Sequence, residues 1–456
     1  GAVAVLLPPW LDEEELAEAL RSVPLRAVVT DPDHAQRLKE QIVSMVLVLG
    51  GGGGPRNLGE GLVDMEAIDP TQVYLPSWYR PNPGRARDLA IKIIGPKPGG
   101  GVRVSRISNG RWAFSALGAA AACTLTPNDT VYCCLPLHHP AGILVSVGSA
   151  LVGGARLALS PHFDPEQFWS ETRRNGVTVV FYAGEMVRYL VNAPPSRGDR
   201  DNPVRLFAGS GMRPDVWRRL RERRFGRVGV LEFYASTERN LVLANASGAK
   251  VGSVGQPLPG SAHVEIVEYD FQKGKLREND GRLCRCQTNE PGVGIALLPR
   301  DANGPSMRVD VFEPGDRWFV TGDVLRRDED GDYWFVDRLA NMINTGHSVV
   351  STRRIENCLY EMPYVQLVAV IGAHLPGQSQ QAPVAFVVSL QTLDEDALST
   401  QLASLAPHER PHLVRRVDNI AMTEGFRPLK SLLRLDAPAV EEYDYDQAEG
   451  RFKLRK

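Results

Sequence analysis

Hydrophobic and polar positions along this chain alternate between two rhythms. Short apolar runs such as Arg26-Ala27-Val28-Val29-Thr30 and Val177-Thr178-Val179-Val180-Phe181-Tyr182 have the length and composition of buried strands. Between such runs, Asp12 to Leu20, Trp112 to Ala121 and Pro165 to Asn175 set apolar residues three and four apart, which is one face of a helix. The alternation continues through Val228-Gly229-Val230-Leu231-Glu232-Phe233 and predicts βαβ units around mostly parallel sheets. After Gly255-Gln256-Pro257-Leu258-Pro259-Gly260 it shortens to turn-rich β segments, from His263-Val264-Glu265-Ile266-Val267 to Trp318-Phe319-Val320, the pattern of a small distorted β-barrel. Beyond the polar turn Arg326 to Gly331 come a helix near Thr352 to Glu361, strands at Val365 to Ile371 and Pro383 to Leu390, and a helix near Asp394 to Leu405. The expected fold is α/β, with a large N-terminal domain of sheets, helices and barrel over residues 1–327 and a small α+β domain over 328–456. Gly50 to Gly54 costs too much entropy in helix or strand and is read as a loop.

Composition narrows the class. At 456 residues, 43% hydrophobic and 23% charged, the chain can bury a large core and should divide into at least two domains. Lys plus Arg number 52 against 54 Asp plus Glu, so no global field draws it to nucleic acid or anionic lipid. The six cysteines include Cys133-Cys134 and Cys284-x-Cys286, with no second pair at zinc spacing and no disulfide framework, which suits a reducing cytoplasm. The apolar stretch Ala141 to Ala155 is broken by four glycines and stops at Arg156, short of the roughly 20 residues that a spanning helix needs. No transmembrane segment is expected, and peripheral association with a membrane stays open.

Several segments can carry chemistry. In Glu232-Phe233-Tyr234-Ala235-Ser236-Thr237-Glu238-Arg239-Asn240, a Thr-Glu pair on a loop after an apolar strand can set a carboxylate beside a nucleotide. The same Ser-Thr-Glu could instead cap a helix. Val320-Thr321-Gly322-Asp323 ends another strand with a carboxylate able to accept two ribose hydroxyls, or to serve as a turn residue. Gly209-Ser210-Gly211 would let backbone approach a flat base, since a Cβ there would obstruct it. His139, after Leu135-Pro136-Leu137-His138 in an apolar run, can be a site residue or a satisfied core histidine.

With Val336-Asp337-Arg338, Gly209 to Trp217 and Tyr132 to His139, these strings resemble in order and spacing the adenylate-forming (AMP-binding) superfamily. The nearer resemblance is to its long-chain and very-long-chain acyl-CoA synthetase, fatty acid transport protein-like branch, and it covers nearly the whole chain. It implies ATP-dependent conversion of a fatty acid to acyl-AMP and then, with coenzyme A, to acyl-CoA. By resemblance Glu238 helps bind Mg2+, Thr237 bonds phosphate, Tyr234 stacks on adenine, and Gly209, Ser210 and Gly211 line the base. Asp323 holds the ribose and Arg338 contacts ribose or phosphate, with an interdomain ion pair as its alternative. His139 lies near the acyl carboxylate, Gly346 and His347 border the CoA channel, and Asp328 is the hinge. Gly1 to Pro9 resembles a segment well inside the family's N-terminal domain, so the chain is expected to be truncated at its start.

The departures from the family pattern bear on activity. The family's phosphate loop has the form TSGTTGxPKG, whereas Ile91-Lys92-Ile93-Ile94-Gly95-Pro96-Lys97-Pro98-Gly99-Gly100-Gly101 has no hydroxyl and two prolines that lack donors. An anion nest would rest on Gly99, Gly100 and Gly101 with Lys97 or Lys92 as charge partner. Where the family has Thr-Gly-Thr-Phe-Lys, this chain has Thr423-Glu424-Gly425-Phe426-Arg427 with Lys430 three residues on, so either cation could take the lysine's catalytic place. Ala235 and Arg239 stand where the family has glycines. These changes motivate a second function, an impaired relative that binds acyl chain or adenylate as a scaffolding module; an acyl-AMP ligase feeding a carrier protein is a separate alternative.

Overall fold

The parallel sheet expected from the alternating runs forms around Val179–Ala183, a strand in which every residue is buried. In spatial order its seven strands are Gln256–Pro257, Leu241–Asn245, Gly229–Ser236, Leu206–Ser210, Val179–Ala183, Thr130–Cys133 and Arg156–Leu159. From Gly229–Ser236 to Arg156–Leu159 neighbours are parallel, and Leu241–Asn245 returns antiparallel beside them. The segments at Gly209 and Tyr234 therefore lie at the carboxyl ends of adjacent parallel strands, where open α/β sheets bind ligands.

The computed structural model describes residues 2–41, 44–51, 56, 58–79, 84–97, 100–196, 199–222, 225–236, 241–304, 306–346 and 348–455. The chain forms two compact units, one of residues 1–117 with 137–148, the other of 118–136 with 149–456. The first holds two three-stranded sheets, Ala4–Leu6 with Leu89–Pro96 and Val102–Ser108, and Ala27–Thr30 with Met45–Val48 and Leu62–Asp64. Its helix Glu13–Ser22 starts on a capping box between Asp12 and Glu15 and buries Leu16 and Ala19, so a cap and one apolar stripe fix its ends and its inner face.

The turn-rich region of the second unit pairs antiparallel: Val264–Val267, Gly292–Leu298, Arg317–Arg327 and Met307–Val309, with Tyr333–Arg338 also on Arg317–Arg327. The expected boundary at 327/328 falls at the 328–332 turn of that hairpin. The C-terminal sheet runs Val365–His374, Gln381–Ser389, Leu413–Arg416, Glu441–Asp446, Arg451–Leu454. Helices Thr352–Tyr360 and Glu395–Leu402 share a core with it through Ile355, Leu359, Val368, Val387, Leu398 and Leu402. The stretch Ala141 to Ala155 breaks into a π-helical Ala141–Val147 and a short helix Gly148–Gly153. Among the described residues no helix is long and apolar enough to cross a membrane, and all six cysteines are free.

Candidate active site

The glycines of Gly209-Ser210-Gly211 are demanded first by packing. A Cβ on Gly209 would lie 2.2 Å from the Tyr182 carbonyl oxygen of the next strand, and Gly211 has φ +104, a conformation cheap only for glycine. Gly209 is thus fixed by its neighbouring strand, independently of any approaching base. Below the turn sits Glu232. Gly211 N–H donates to its Oε1 at 2.5 Å, Met212 N–H to its Oε2 at 3.3 Å, and the Tyr182 hydroxyl also donates to Oε2. Burial raises the Glu232 carboxyl to about 7 against the pull of these bonds. Glu232 escaped the sequence reading as a site residue, although a lone carboxylate inside Val230-Leu231-Glu232-Phe233 is the signal of a buried, bonded acid.

Asp323 is aimed by a bulge. Val293 pairs with Val324 and Ile295 with Val320, so Thr321-Gly322-Asp323 bulges opposite Gly294, and bulges redirect side chains at functional edges. Thr321 Oγ1 donates to the Gly294 carbonyl at 2.7 Å and accepts the Asp323 N–H at 3.1 Å, while Gly322 takes φ +75. The Asp323 carboxyl accepts the Tyr234 hydroxyl at 2.6 Å on Oδ2, and Arg338 is its cross-strand neighbour. Burial raises Asp323, with Tyr234, Arg338 and Arg427 opposing. Its other oxygen, Oδ1, has no hydrogen bond among the described residues, nor does Arg338 hold an ion pair there.

The turn Thr423 to Lys430 separates the two rival cations. Arg427 reaches Ser210 Oγ at 3.4 Å and shares an electrostatic neighbourhood with Arg338, Glu232 and Asp323. Loss of solvation and then repulsion from Arg338 lower its affinity for its proton, although the residue stays open to solvent in the cleft. Lys430 is spent elsewhere, on Glu356 at 2.7 Å and Thr352 Oγ1 at 2.6 Å. Glu356 also pairs with Arg213 at 2.6 Å, and Arg213 with Glu185 at 3.0 Å. Despite its burial, Lys430 and Arg213 hold Glu356 down to about 2.

Other predicted residues are placed as follows. Asp328 pairs with Lys250 at 2.9 Å and accepts the Trp334 indole N–H at 2.9 Å; burial notwithstanding, these hold it at about 2. Lys250 also pairs with Asp330 at 2.6 Å and Asp332 at 2.9 Å. Asp337, which the sequence reading left without a task, accepts from Ser351 Oγ, Thr352 Oγ1 and Arg353 N–H at 3.0, 2.9 and 3.0 Å and so caps the Thr352–Tyr360 helix. Gly346 lies at the tip of a hairpin with φ +82, its N–H on Asn344 Oδ1. His139 belongs to the first unit, is exposed, and its Nδ1 accepts the Ala141 N–H at 3.1 Å, which rules out the buried-core alternative. In the same unit the segment expected to hold phosphate is a hairpin turn. Lys97 N–H bonds the Gly101 carbonyl at 2.9 Å and Gly100 N–H the Lys97 carbonyl at 3.2 Å. Glu18 takes Lys97 Nζ at 3.2 Å and Val102 N–H at 3.1 Å. Thr237, Glu238, Arg239, His347 and Gly99 lie outside the described residues.

Among the described residues Asp323 Oδ1 is open, Arg338 lies across the strand from it and Arg427 lies in its field, a chemistry able to accept hydroxyls beside an anion. Among the described residues no group of three His, Cys, Asp or Glu side chains could hold a metal ion, and the residue assigned to magnesium, Glu238, is not among them. Solved structures agree on the fold: an anthranilate CoA ligase, AuaEII, in complex with anthranoyl-AMP has a TM-score of 0.75 at 18% identity over 94% of this chain and 81% of that one. ATP-bound MatB from Rhodopseudomonas palustris gives 0.73 at 22%, over 95% and 83%.

Sequence comparison goes further. A family model described as AMP-binding enzyme matches residues 107–288, and one described as AMP-binding enzyme C-terminal domain matches 354–426. Long-chain fatty acid transport protein 3 of Homo sapiens is 31% identical over 99% of this chain and 70% of its own length. A medium/long-chain fatty-acid–CoA ligase of Mycobacterium tuberculosis is 31% identical over 96% and 74%. The chain belongs to the AMP-binding enzyme family, on the branch of the fatty acid transport proteins and fatty-acid–CoA ligases. It is a ligase by family, and ATP-dependent fatty acid activation is the function that membership supports.

Proposed function

We propose that this chain activates a long-chain fatty acid with ATP to acyl-AMP and then transfers the acyl group to coenzyme A. The observation that carries the reading is the docked turn that brings Arg427 beside Ser210 and the field of Asp323. Asp323 accepts the ribose hydroxyls through the oxygen that Tyr234 leaves free. Arg427 brings a positive charge to the substrate carboxylate and α-phosphate as negative charge builds there, and a guanidinium fixed in advance of the reaction lowers the barrier without reorganising. Residues 328–456 act as a lid turning about Asp328, so that Arg427 serves the first half-reaction and Gly346 and His347 the second. Magnesium, for which Glu238 is the proposed ligand, would neutralise phosphate charge. Six free cysteines suit a cytoplasmic setting, with peripheral contact at a membrane for a lipid substrate.

The test is ATP–pyrophosphate exchange dependent on a long-chain fatty acid, with Glu238→Gln expected to abolish it at unchanged melting temperature. Exchange that survives Glu238→Gln removes Glu238 from the site. Absence of exchange in the unaltered protein, at any chain length, rejects the enzyme reading.

The Lys97–Gly101 hairpin favours one alternative, a relative that binds acyl chain or adenylate without efficient chemistry. Among the described residues the N–H groups of Lys97 and Gly100 bond within the turn and the lysine ammonium bonds Glu18. That reading expects ATP to bind no tighter than AMP. A tenfold preference for ATP, about 1.4 kcal/mol, rejects it.

A further inference from the structure

The Arg427 turn is held by something more specific than charge. Phe426, the residue before the cation, has φ +54, a left-handed conformation that a bulky side chain enters only when its surroundings impose it. Its carbonyl oxygen accepts the Glu185 N–H at 2.8 Å. Its ring stands edge-on to Phe163, with centroids 5.5 Å apart at 90°, and to Tyr189, at 6.4 Å and 69°, the edge-to-face geometry aromatic rings prefer. The opposing surface is shaped for it. Gly184, at the end of the Val179–Ala183 strand, has φ +50, and a Cβ there would lie 2.2 Å from the Phe426 carbonyl oxygen and 2.5 Å from that of Gly425. Glu185, whose N–H holds the turn, is itself anchored through its carboxylate to Arg188 at 2.7 Å and Arg213 at 3.0 Å. The turn closes on itself through Thr423 N–H to the Arg427 carbonyl at 2.8 Å and Phe426 N–H to the Thr423 carbonyl at 2.9 Å, so a shift of Phe426 carries Arg427 with it.

We propose that Phe426 and Gly184 form a seat, the ring packed on Phe163 and Tyr189 and the turn's carbonyls in the space that Gly184 leaves without a Cβ, that positions Arg427 for acyl-AMP formation and is vacated for thioester formation. This rests on the reading of Arg427 as the adenylation cation. Neither residue touches the reacting atoms; both are positioning residues. Because a misplacement of about 1 Å can cost on the order of a hundredfold, Phe426→Ala and Gly184→Ala should each lower the rate of acyl-AMP formation by about 10- to 100-fold. Thioester formation from supplied acyl-AMP should stay within about twofold, since that step uses the lid unseated.

Three arms make the test decisive. Phe426→Gly removes the ring but relieves the left-handed backbone, so it should behave as Phe426→Ala; recovery of the rate by Phe426→Gly would mean that backbone strain, not the ring, matters and would overturn the seat. Phe426→Tyr keeps the ring and should restore most of the adenylation rate. Amide hydrogen exchange over 184–189 and 423–430, read without substrate, should accelerate in both alanine variants. Equal loss of both half-reactions, or adenylation unchanged in both alanine variants, overturns the proposal. If the unaltered protein forms no acyl-AMP yet exchange still accelerates in the variants, the seat stands and the enzyme reading fails on its own.

Discussion

Two segments of this molecule carry a cation at a position that aligns with a functional lysine of the adenylate-forming family, and they treat it in opposite ways. In the hairpin after Leu89–Pro96, Lys97 is held by Glu18 at 3.2 Å, and the N–H groups of Lys97, Gly100 and Val102 are bonded within the protein. In the turn from Thr423 to Lys430, the one side-chain bond of Arg427 among the described residues is a long one, to Ser210 Oγ at 3.4 Å. A second basic residue of that turn, Lys430, absorbs the nearby acid Glu356 at 2.7 Å. Charge alone does not mark a site, because a neutralised lysine has little field left to offer a phosphate. What distinguishes Arg427 is that the described residues give it no ion pair while they pair its neighbour Lys430.

The hardest way to break this comparison is to remove the charge of Arg427. Arg427→Ala should lower acyl-AMP formation by about 10²- to 10³-fold, the usual effect of deleting one fixed electrostatic stabiliser, while Arg427→Lys holds or raises the rate. Single-turnover assays of acyl-AMP check both. Lys430→Ala is the control, expected to reduce stability by stranding Glu356 beside Arg213 and to leave the chemical step in the surviving folded protein. Loss of chemistry on Lys430→Ala alone would reverse the assignment of the two cations.

Next in size is Asp323→Ala. It deletes the acceptor whose Oδ1 is open and leaves the Tyr234 hydroxyl without its partner. AMP affinity should fall by roughly 1.5–3 kcal/mol, the range for hydrogen bonds to a charged group, as read by calorimetric titration. Unchanged affinity would detach the ribose from this carboxylate and leave Arg427 without a nucleotide to act on.

Much of this arrangement was legible in the order of residues. The Val179–Ala183 and Gly229–Ser236 strands follow from apolar runs of strand length, and the Glu13–Ser22 helix from the apolar residues three and four apart between Asp12 and Leu20. The strands Glu441–Asp446 and Arg451–Leu454 were missed, because Glu441-Glu442-Tyr443-Asp444-Tyr445-Asp446 carries acids on both faces and only Tyr443 and Phe452 turn fully inward. Their partners are ions, Arg415 to Glu442 at 2.7 Å and Arg416 to Glu441 at 2.7 Å, a pairing that depends on register and not on hydropathy. In the site, the Asp323 carboxylate could be read from Thr-Gly-Asp because turn chemistry is local. The apolar run around Glu232 signals a buried acid, but its partners at Gly211 and Met212, like those of Asp337 at the start of the Thr352–Tyr360 helix, could not be read, since the fold alone brings them near.

A smaller effect concerns the hinge proposed at Asp328. The bonds from Lys250 and Trp334 hold its carboxyl at about 2, below its ordinary 3.8. A depressed carboxyl contributes stability that is present above 3.8 and lost as pH falls through about 2, because the folded state then resists the proton that the unfolded state accepts. The melting-temperature gap between the unaltered protein and Asp328→Asn should therefore be full near neutrality and close across that acid window. A gap independent of pH would show that the turn is held by its backbone and not by this charge.

The smallest effect sharpens the comparison from its other side. If Lys97 is spent on Glu18, then Lys97→Ala should change ATP affinity by no more than about twofold, since an already neutralised ammonium lends little to a phosphate. The pair is exposed on both sides, at 49% and 34%, so salt screens it and its loss should move the melting temperature by no more than about 2 °C. Glu18→Gln is the more revealing variant, because it releases Lys97 while keeping a side chain that can accept the Val102 N–H. On that background ATP should bind more tightly than to the unaltered protein, and AMP should not, because only the longer phosphate chain can use the freed cation. A loss of tenfold or more in ATP affinity on Lys97→Ala alone would mean that the lysine abandons Glu18 whenever nucleotide arrives. The hairpin would then be a working phosphate loop, and the contrast with Arg427 would vanish.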